Sequence, residues 1–163
     1  MVRLLISSDP FHAPQVITHK QIGSGFPART DPAALVVGPT GVGLGFDGTL
    51  YVASTADSTI AAIPNAVFRN SDDGTGTTVS QPGNALNAPL GLAIAPNGNI
   101  LTVNGGDGNM VETTPRGSQI AVKTVDHNMG GGGNLFGLAV KPGADAVYFV
   151  DDFSANNNLQ LFF

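Results

Sequence analysis

The chain has 163 residues, 42% of them apolar and only 12% charged, with 22 glycines, 11 prolines, no cysteine and a formal net charge of −5. Length and apolar share suffice for one domain with its own core, while the lack of cysteine excludes a disulfide framework, a thiolate zinc site and a cysteine nucleophile. Seven scattered Lys and Arg cannot make the clustered cations that a nucleic-acid partner needs, and no run approaches the roughly 20 apolar residues of a membrane helix.

Met1 to Ser8 carries an apolar run shorter than the roughly 7–15 residues of a signal-peptide core. Val2 to Ser7 therefore reads as a strand, no export signal is visible in this chain, and the compartment is left open. Asp9-Pro10 breaks that strand, and Gln15 to Ile22 gives a second. Gly23 to Pro32 reads as a loop and Ala33 to Val37 as a short extended piece. From Pro39 the pattern changes. A glycine-lined strand to Phe46 meets Asp47-Gly48, a strong hairpin signal, and returns as Thr49 to Ser54. Ser58 to Pro64 and Thr77 to Ser80 add a third and a fourth strand.

Pro89 to Asn104 repeats this grammar around Asn97-Gly98, followed by strands at Asn109 to Thr114 and Gln119 to Val125. A third copy runs from Phe136 to Pro142, Ala146 to Asp151 and Asn158 to Phe162. Aligning on Gly41, Gly91 and Gly137 gives periods of 50 and 46 residues, in the range of propeller blades. Leu44, Ile94 and Val140 then match, as do Leu50, Ile100 and Val147, and Ser54, Asn104 and Asp151. No segment shows a sustained helical period, so the fold class is all-β.

The pattern Pro-x-Gly-Leu-Ala-x-x-Pro-Asn-Gly-Asn-Ile, followed by a strand closing on Asn or Asp, resembles the NHL-type repeat. It is also similar to blades of the gluconolactonase, paraoxonase and strictosidine-synthase-like six-bladed propellers, over roughly residues 36 to 162. The resemblance implies four-stranded antiparallel blades whose first strands line a central channel, with about three blades in residues 1–163 and clear repeats at 39–80, 89–125 and 135–162. That is about half a ring. Open faces and edges are costly in water, so a homodimer closing one six-bladed ring is expected, the alternative being that the chain is a piece of a longer protein.

On the blade analogy, first strands begin and second strands end on one face, which would collect Thr40, Ser54, Asp57, Asn104, Asp107, Phe136, Asp151 and Asp152. Propeller lactonases hold Ca²⁺ near this position, where it polarises the lactone carbonyl. The resemblance thus implies a lactonase-like hydrolase acting on small lactones such as sugar lactones or acyl-homoserine lactones. Asn104, Asp107 and Asp151 are its candidate metal ligands, and Thr40, Ser54 and Phe136 its substrate contacts. His127, Asp151 or Asp152 would activate water.

The same Asn and Asp residues are ordinary turn formers, and His127 is equally a solvated loop residue. The metal-binding Glu that the gluconolactonase pattern places early in the chain has no counterpart, since Glu112 stands on a third strand. Gly130 to Gly133 lacks the Lys-Ser/Thr and the helix of a phosphate loop and reads as a flexible connection or a lid over the channel. A non-catalytic propeller binding protein, peptide or glycan is the second expectation.

Overall fold

The computed structural model describes residues 1–32, 34–80, 84–127, 135–152 and 158–162, so the tetraglycine Gly130 to Gly133 lies outside the described residues. The N-terminal strands β1 (Val2–Asp9) and β2 (His12–Gln21) form a two-stranded hairpin, and β3 (Arg29–Asp31) pairs with β4 (Leu35–Val37). Two four-stranded meanders follow: β5 (Pro39–Leu44), β6 (Leu50–Ser54), β7 (Thr59–Ile63) and β8 (Thr77–Ser80), then β9 (Pro89–Ile94), β10 (Ile100–Asn104), β11 (Asn109–Thr113) and β12 (Gln119–Thr124). A three-stranded sheet closes the described chain, with β13 (Leu135–Val140), β14 (Val147–Asp151) and β15 (Asn158–Phe162). All the strand pairs are antiparallel. The sheets are β-propeller blades. Among the described residues no helix is long and apolar enough to cross a membrane.

Residues 23–32, read as loop from the sequence, contain β3. A three-residue strand is too short to show alternation, and it exists because Thr30 pairs with Val36. The expected Asp-Gly hairpin also differs in detail, for the ladders close at Leu44↔Leu50 and Ile94↔Ile100 and so leave five-residue connections. Asp47 accepts from the Thr49 amide at 3.0 Å, and Asn97 does the same for Asn99 at 2.9 Å. Gly48 and Gly98 follow at φ of 80° and 86°, where an L side chain would be strained.

Strand alternation gives each blade two faces. The forward face of the first blade (Tyr51, Ala53, Ile60) packs on the backward face of the second (Leu92, Ile100, Val111), with Leu86 between them. Val103 and Met110 then pack on Leu135, Val147 and Phe149 of the third. Backward of the first blade, Val52, Ala61 and Ile63 meet Met1 and Phe26 at the base of the hairpin.

Near the axis the blades touch through backbone. A Cβ on Gly41 would lie 2.5 Å from the Leu90 carbonyl oxygen and 2.6 Å from the Leu92 nitrogen. A Cβ on Gly91 would collide with the Phe136 carbonyl oxygen. No side chain fits there.

The described hydrogen bonds tie the hairpin down at its base. Arg3 donates to the carbonyls of Val67 and Arg69 at 2.7 and 2.9 Å. Asp72 accepts from Gln21 Nε2 at 2.5 Å, Ser24 Oγ at 2.6 Å and the Gly74 amide at 2.9 Å. The Ser24 hydroxyl, then the Gln21 amide and the Gly74 N–H, hold the Asp72 carboxyl below its ordinary 3.8. A depressed carboxyl stabilises the fold above its unfolded value and loses that contribution as pH falls through the folded one.

Two outcomes are expected. Gly41→Ala should cost about 1–3 kcal/mol in urea unfolding, as overpacking against an immovable backbone does. Cleavage of the β1–β2 hairpin by pepsin, taken relative to cleavage of an unstructured peptide at the same pH, should accelerate as pH falls below 3.8, and Asp72→Asn should show the fast relative cleavage already at higher pH. A pH-independent relative rate in the wild type would rule out the Asp72 anchor.

Candidate functional site

The first strands β5, β9 and β13 stand side by side, and because glycine brings them close, their exposed sides form one concave wall. This axial cleft, about 470 Å³, is lined by Val36, Val37, Thr40, Leu90, Phe136 and Leu138 together with the backbone of Gly41, Gly91 and Gly137. No ionisable side chain is among its described lining. Thr40 and Phe136 were singled out from the sequence; Leu90 and Leu138 were not. Leu90 was legible in principle, for it precedes the shared glycine as Thr40 and Phe136 do, but an apolar residue there raised no chemical flag.

Thr40 also joins the blades. Thr55 Oγ1 donates to the Pro89 carbonyl at 2.7 Å, and the Thr40 hydroxyl lies 2.8 Å from Thr55 Oγ1 and 2.9 Å from the Leu90 carbonyl. Both hydroxyls thus meet carbonyls of the next blade's first strand, and Ser58 Oγ accepts from the Ala88 amide at 3.0 Å just before it. Thr55 was not foreseen, because its partner lies 34 residues away.

Ser54, Asn104 and Asp151, which share one repeat position, are all buried, at 1%, 0% and 6% exposure. Asn104 Nδ2 donates to the Ala85 carbonyl at 2.7 Å and to Asp107 Oδ1 at 3.0 Å. Asp107 Oδ1 also takes the Asn109 amide at 3.0 Å. Gly105 and Gly106 donate their amides to the carbonyls of Ala88 and Asn87. Asn104 and Asp107 thus fasten the turn after β10 to the segment that leads from the first blade into the second. Among the described residues, Asn104 Oδ1 and Ser54 Oγ are buried and find no hydrogen-bond partner.

Asp151 Oδ2 accepts from Gln160 at 3.1 Å, and Asp151 faces Leu135 across the β13–β14 ladder. That puts it one residue from Phe136 on the cleft wall. Asp152 follows it and is exposed, as are Asp57 and His127. Glu112 is held elsewhere, by Asn97 Nδ2 at 3.0 Å and Asn99 Nδ2 at 2.7 Å beneath the 95–99 turn.

Ca²⁺ takes six to eight oxygen ligands. The orphaned Asn104 Oδ1 is one suitable donor, but Asp107 is committed to its turn, and among the described residues no three His, Asp or Glu side chains converge on a point. Of the expected calcium centre of Asn104, Asp107 and Asp151, the described contacts join Asn104 and Asp107, and among the described residues no cluster of His, Asp or Glu completes a calcium shell.

No family model matches the chain, and no curated protein does. Solved structures do. It is similar to a chain of the nidogen/laminin complex (TM-score 0.63, 16% identity, 98% of this chain and 52% of that one). It is also similar to a catalytically inactive virginiamycin B lyase from Staphylococcus aureus with quinupristin (TM-score 0.56, 12% identity, 85% and 48%). A third is a gluconolactonase from Xanthomonas campestris (TM-score 0.52, 13% identity, 71% and 35%). The chain spans about half the length, or less, of these three structures. The fold is thus that of a partial β-propeller.

Asn104→Ala strands the Ala85 carbonyl in a buried place and frees the 105–108 turn. It should cost about 1–3 kcal/mol of unfolding free energy with the secondary structure retained by circular dichroism. An unchanged urea midpoint would show that Asn104 fastens nothing.

Proposed function

We propose that this chain is part of a lactonase-like propeller whose axial cleft receives a small, largely apolar lactone. The observation that carries this reading is the cleft itself, whose apolar wall of Leu90, Phe136 and Leu138 suits an acyl or hydrocarbon body better than a bare sugar. Likeness to a gluconolactonase supports the reaction class, and fold alone does not decide it.

The carboxylates beside the cleft include Asp31, which accepts from the amide of the lining residue Ala34 at 3.1 Å, and, at the end of the last sheet, Asp151 and the exposed Asp152. In this reading Asp152 takes a proton from a water molecule as that water attacks the lactone carbonyl. The tetrahedral centre collapses, the ring C–O bond breaks, and the alkoxide leaves with the proton, so that lactone and water give one hydroxy acid. Asp151, held by Gln160, fixes the end of the strand that carries Asp152. No step is routed through calcium, because the residues present do not build its site.

A second reading has its own observation. The described cleft lining carries no ionisable group, and Thr40, Asn104 and Asp107 are engaged in holding loops. That is the pattern of a binding surface without chemistry, for a protein, peptide or glycan.

A panel of short- and long-chain lactones separates the readings. Hydrolysis that Asp152→Asn slows by about 100-fold or more, with Phe136→Ala raising KM, supports the lactonase. Binding by calorimetry without turnover supports the second reading, and neither heat nor turnover overturns the cleft as a ligand site. Calcium at millimolar concentration should leave both turnover and the melting temperature unmoved, whereas a site of micromolar Kd would add about 4 kcal/mol.

A further inference from the structure

The gap between the first and second blades and the gap between the second and third are lined by equivalent positions but not by equivalent residues. In the first gap Tyr51, 5% exposed, packs in one cluster with Ala62 and Ile94. In the second, Leu101 takes the place of Tyr51 and Val140 that of Ile94. These two smaller side chains leave a cavity of about 330 Å³, walled by Leu101, Met110, Val140, Val147 and Phe162. That volume falls at the lower end of the roughly 300–1,000 Å³ of small-molecule pockets. The cavity owes its space to side-chain size on two blades that face each other, and it shares no lining residue with the axial cleft.

The charges around it also break the repeat. Glu112 stands where the first blade has Ala62, since Tyr51 pairs with Ala62 and Leu101 with Glu112. Asn97 and Asn99 both donate to its Oε1, at 3.0 and 2.7 Å, and among the described residues no hydrogen bond reaches Oε2. Two amide donors on one oxygen fix the carboxylate at the cavity wall and leave its other oxygen open to a ligand. Lys123 lines the cavity from β12, diagonal to Glu112, because the ladder sets Met110 against Lys123 and Glu112 against Ala121. Asp145 lines it from the third blade, in the connection before β14. Among the described residues none of these three charged side chains is in an ion pair.

We propose that this cavity binds a free α-amino acid with a large apolar side chain, such as leucine or phenylalanine. The side chain lies among Leu101, Met110, Val147 and Phe162, the ammonium group meets Glu112 Oε2 and Asp145, and the carboxylate meets Lys123. Charge complementarity selects this class. Two carboxylates and one ammonium around an apolar cavity match a ligand that carries both signs on one short backbone. An amine or an acid alone leaves a charged group of the wall without its partner, where charge-assisted hydrogen bonds contribute most. The site stands independently of any hydrolytic activity.

Calorimetric titration of the full chain with L-phenylalanine tests it, with phenethylamine and 3-phenylpropionate as probes that each lack one charge. L-phenylalanine should bind, and each one-charge probe should bind at least about tenfold more weakly, the effect of losing one charged hydrogen bond. Glycine, which has both charges and no side chain, should give no heat. Glu112→Gln, whose amide oxygen still takes the two Asn donors, should weaken L-phenylalanine and leave 3-phenylpropionate unchanged. Lys123→Met should weaken L-phenylalanine and leave phenethylamine unchanged. Leu101→Tyr, which restores the residue of the first blade, should abolish binding with circular dichroism unchanged. No heat with L-phenylalanine would overturn the proposal. Equal binding of phenethylamine, or binding untouched by Glu112→Gln and Leu101→Tyr, would overturn it as well.

Discussion

Backbone against backbone at the glycines of the first strands is the contact on which this structure depends. Around a propeller axis the blades converge, and the space between adjacent first strands falls below what one methyl group needs. Gly41 and Gly91 admit the carbonyls of Leu90 and Phe136 at that distance. The side chains farther out, Tyr51 and Ile60 against Ile100 and Val111, can then pack as one layer. The Thr40 and Thr55 hydroxyls secure the same junction by meeting the Pro89 and Leu90 carbonyls.

That constraint also decides where chemistry can occur. A wall made of glycine backbone, apolar side chains and the engaged Thr40 hydroxyl has no ionisable group in its described lining, so an acid or base has to come from the strand ends around it. Most of the polar strand-end residues are already used. Asn104 and Asp107 hold the passage from one blade to the next, and Glu112 braces the 95–99 turn. Asp151 and Asp152 stand beside Phe136 on the last sheet, the part of the chain whose forward face is uncovered. The similar structures carry names as different as a lyase, a lactonase and a laminin complex, as expected of a fold that supplies a frame and leaves the site to loops.

Legibility in the sequence followed the range of the interaction. Strands β5 to β15 were readable because alternation, turn glycines and a repeat near 50 residues are local or periodic signals. β3 was not, since three residues carry no period and Thr30 is a strand residue only because Val36 pairs with it. Asn104 was readable as a strand end matching Ser54 and Asp151, but its chemical role was not. The Ala85 carbonyl that takes its amide lies 19 residues back on another connection. Asp107 reads alike as metal ligand and as turn former until the Asn109 amide is seen on its carboxylate.

What the sequence determined by itself was the blade and its repetition, because a glycine-lined strand, a tight turn and an apolar return are specified by side-chain size and backbone freedom over a few residues. Only the tertiary structure decided that the axial wall is apolar and that Thr40 and Asn104 join blades. Each of these depends on which atoms of distant segments come within reach, and residues 19 to 50 apart meet only when the blades are stacked.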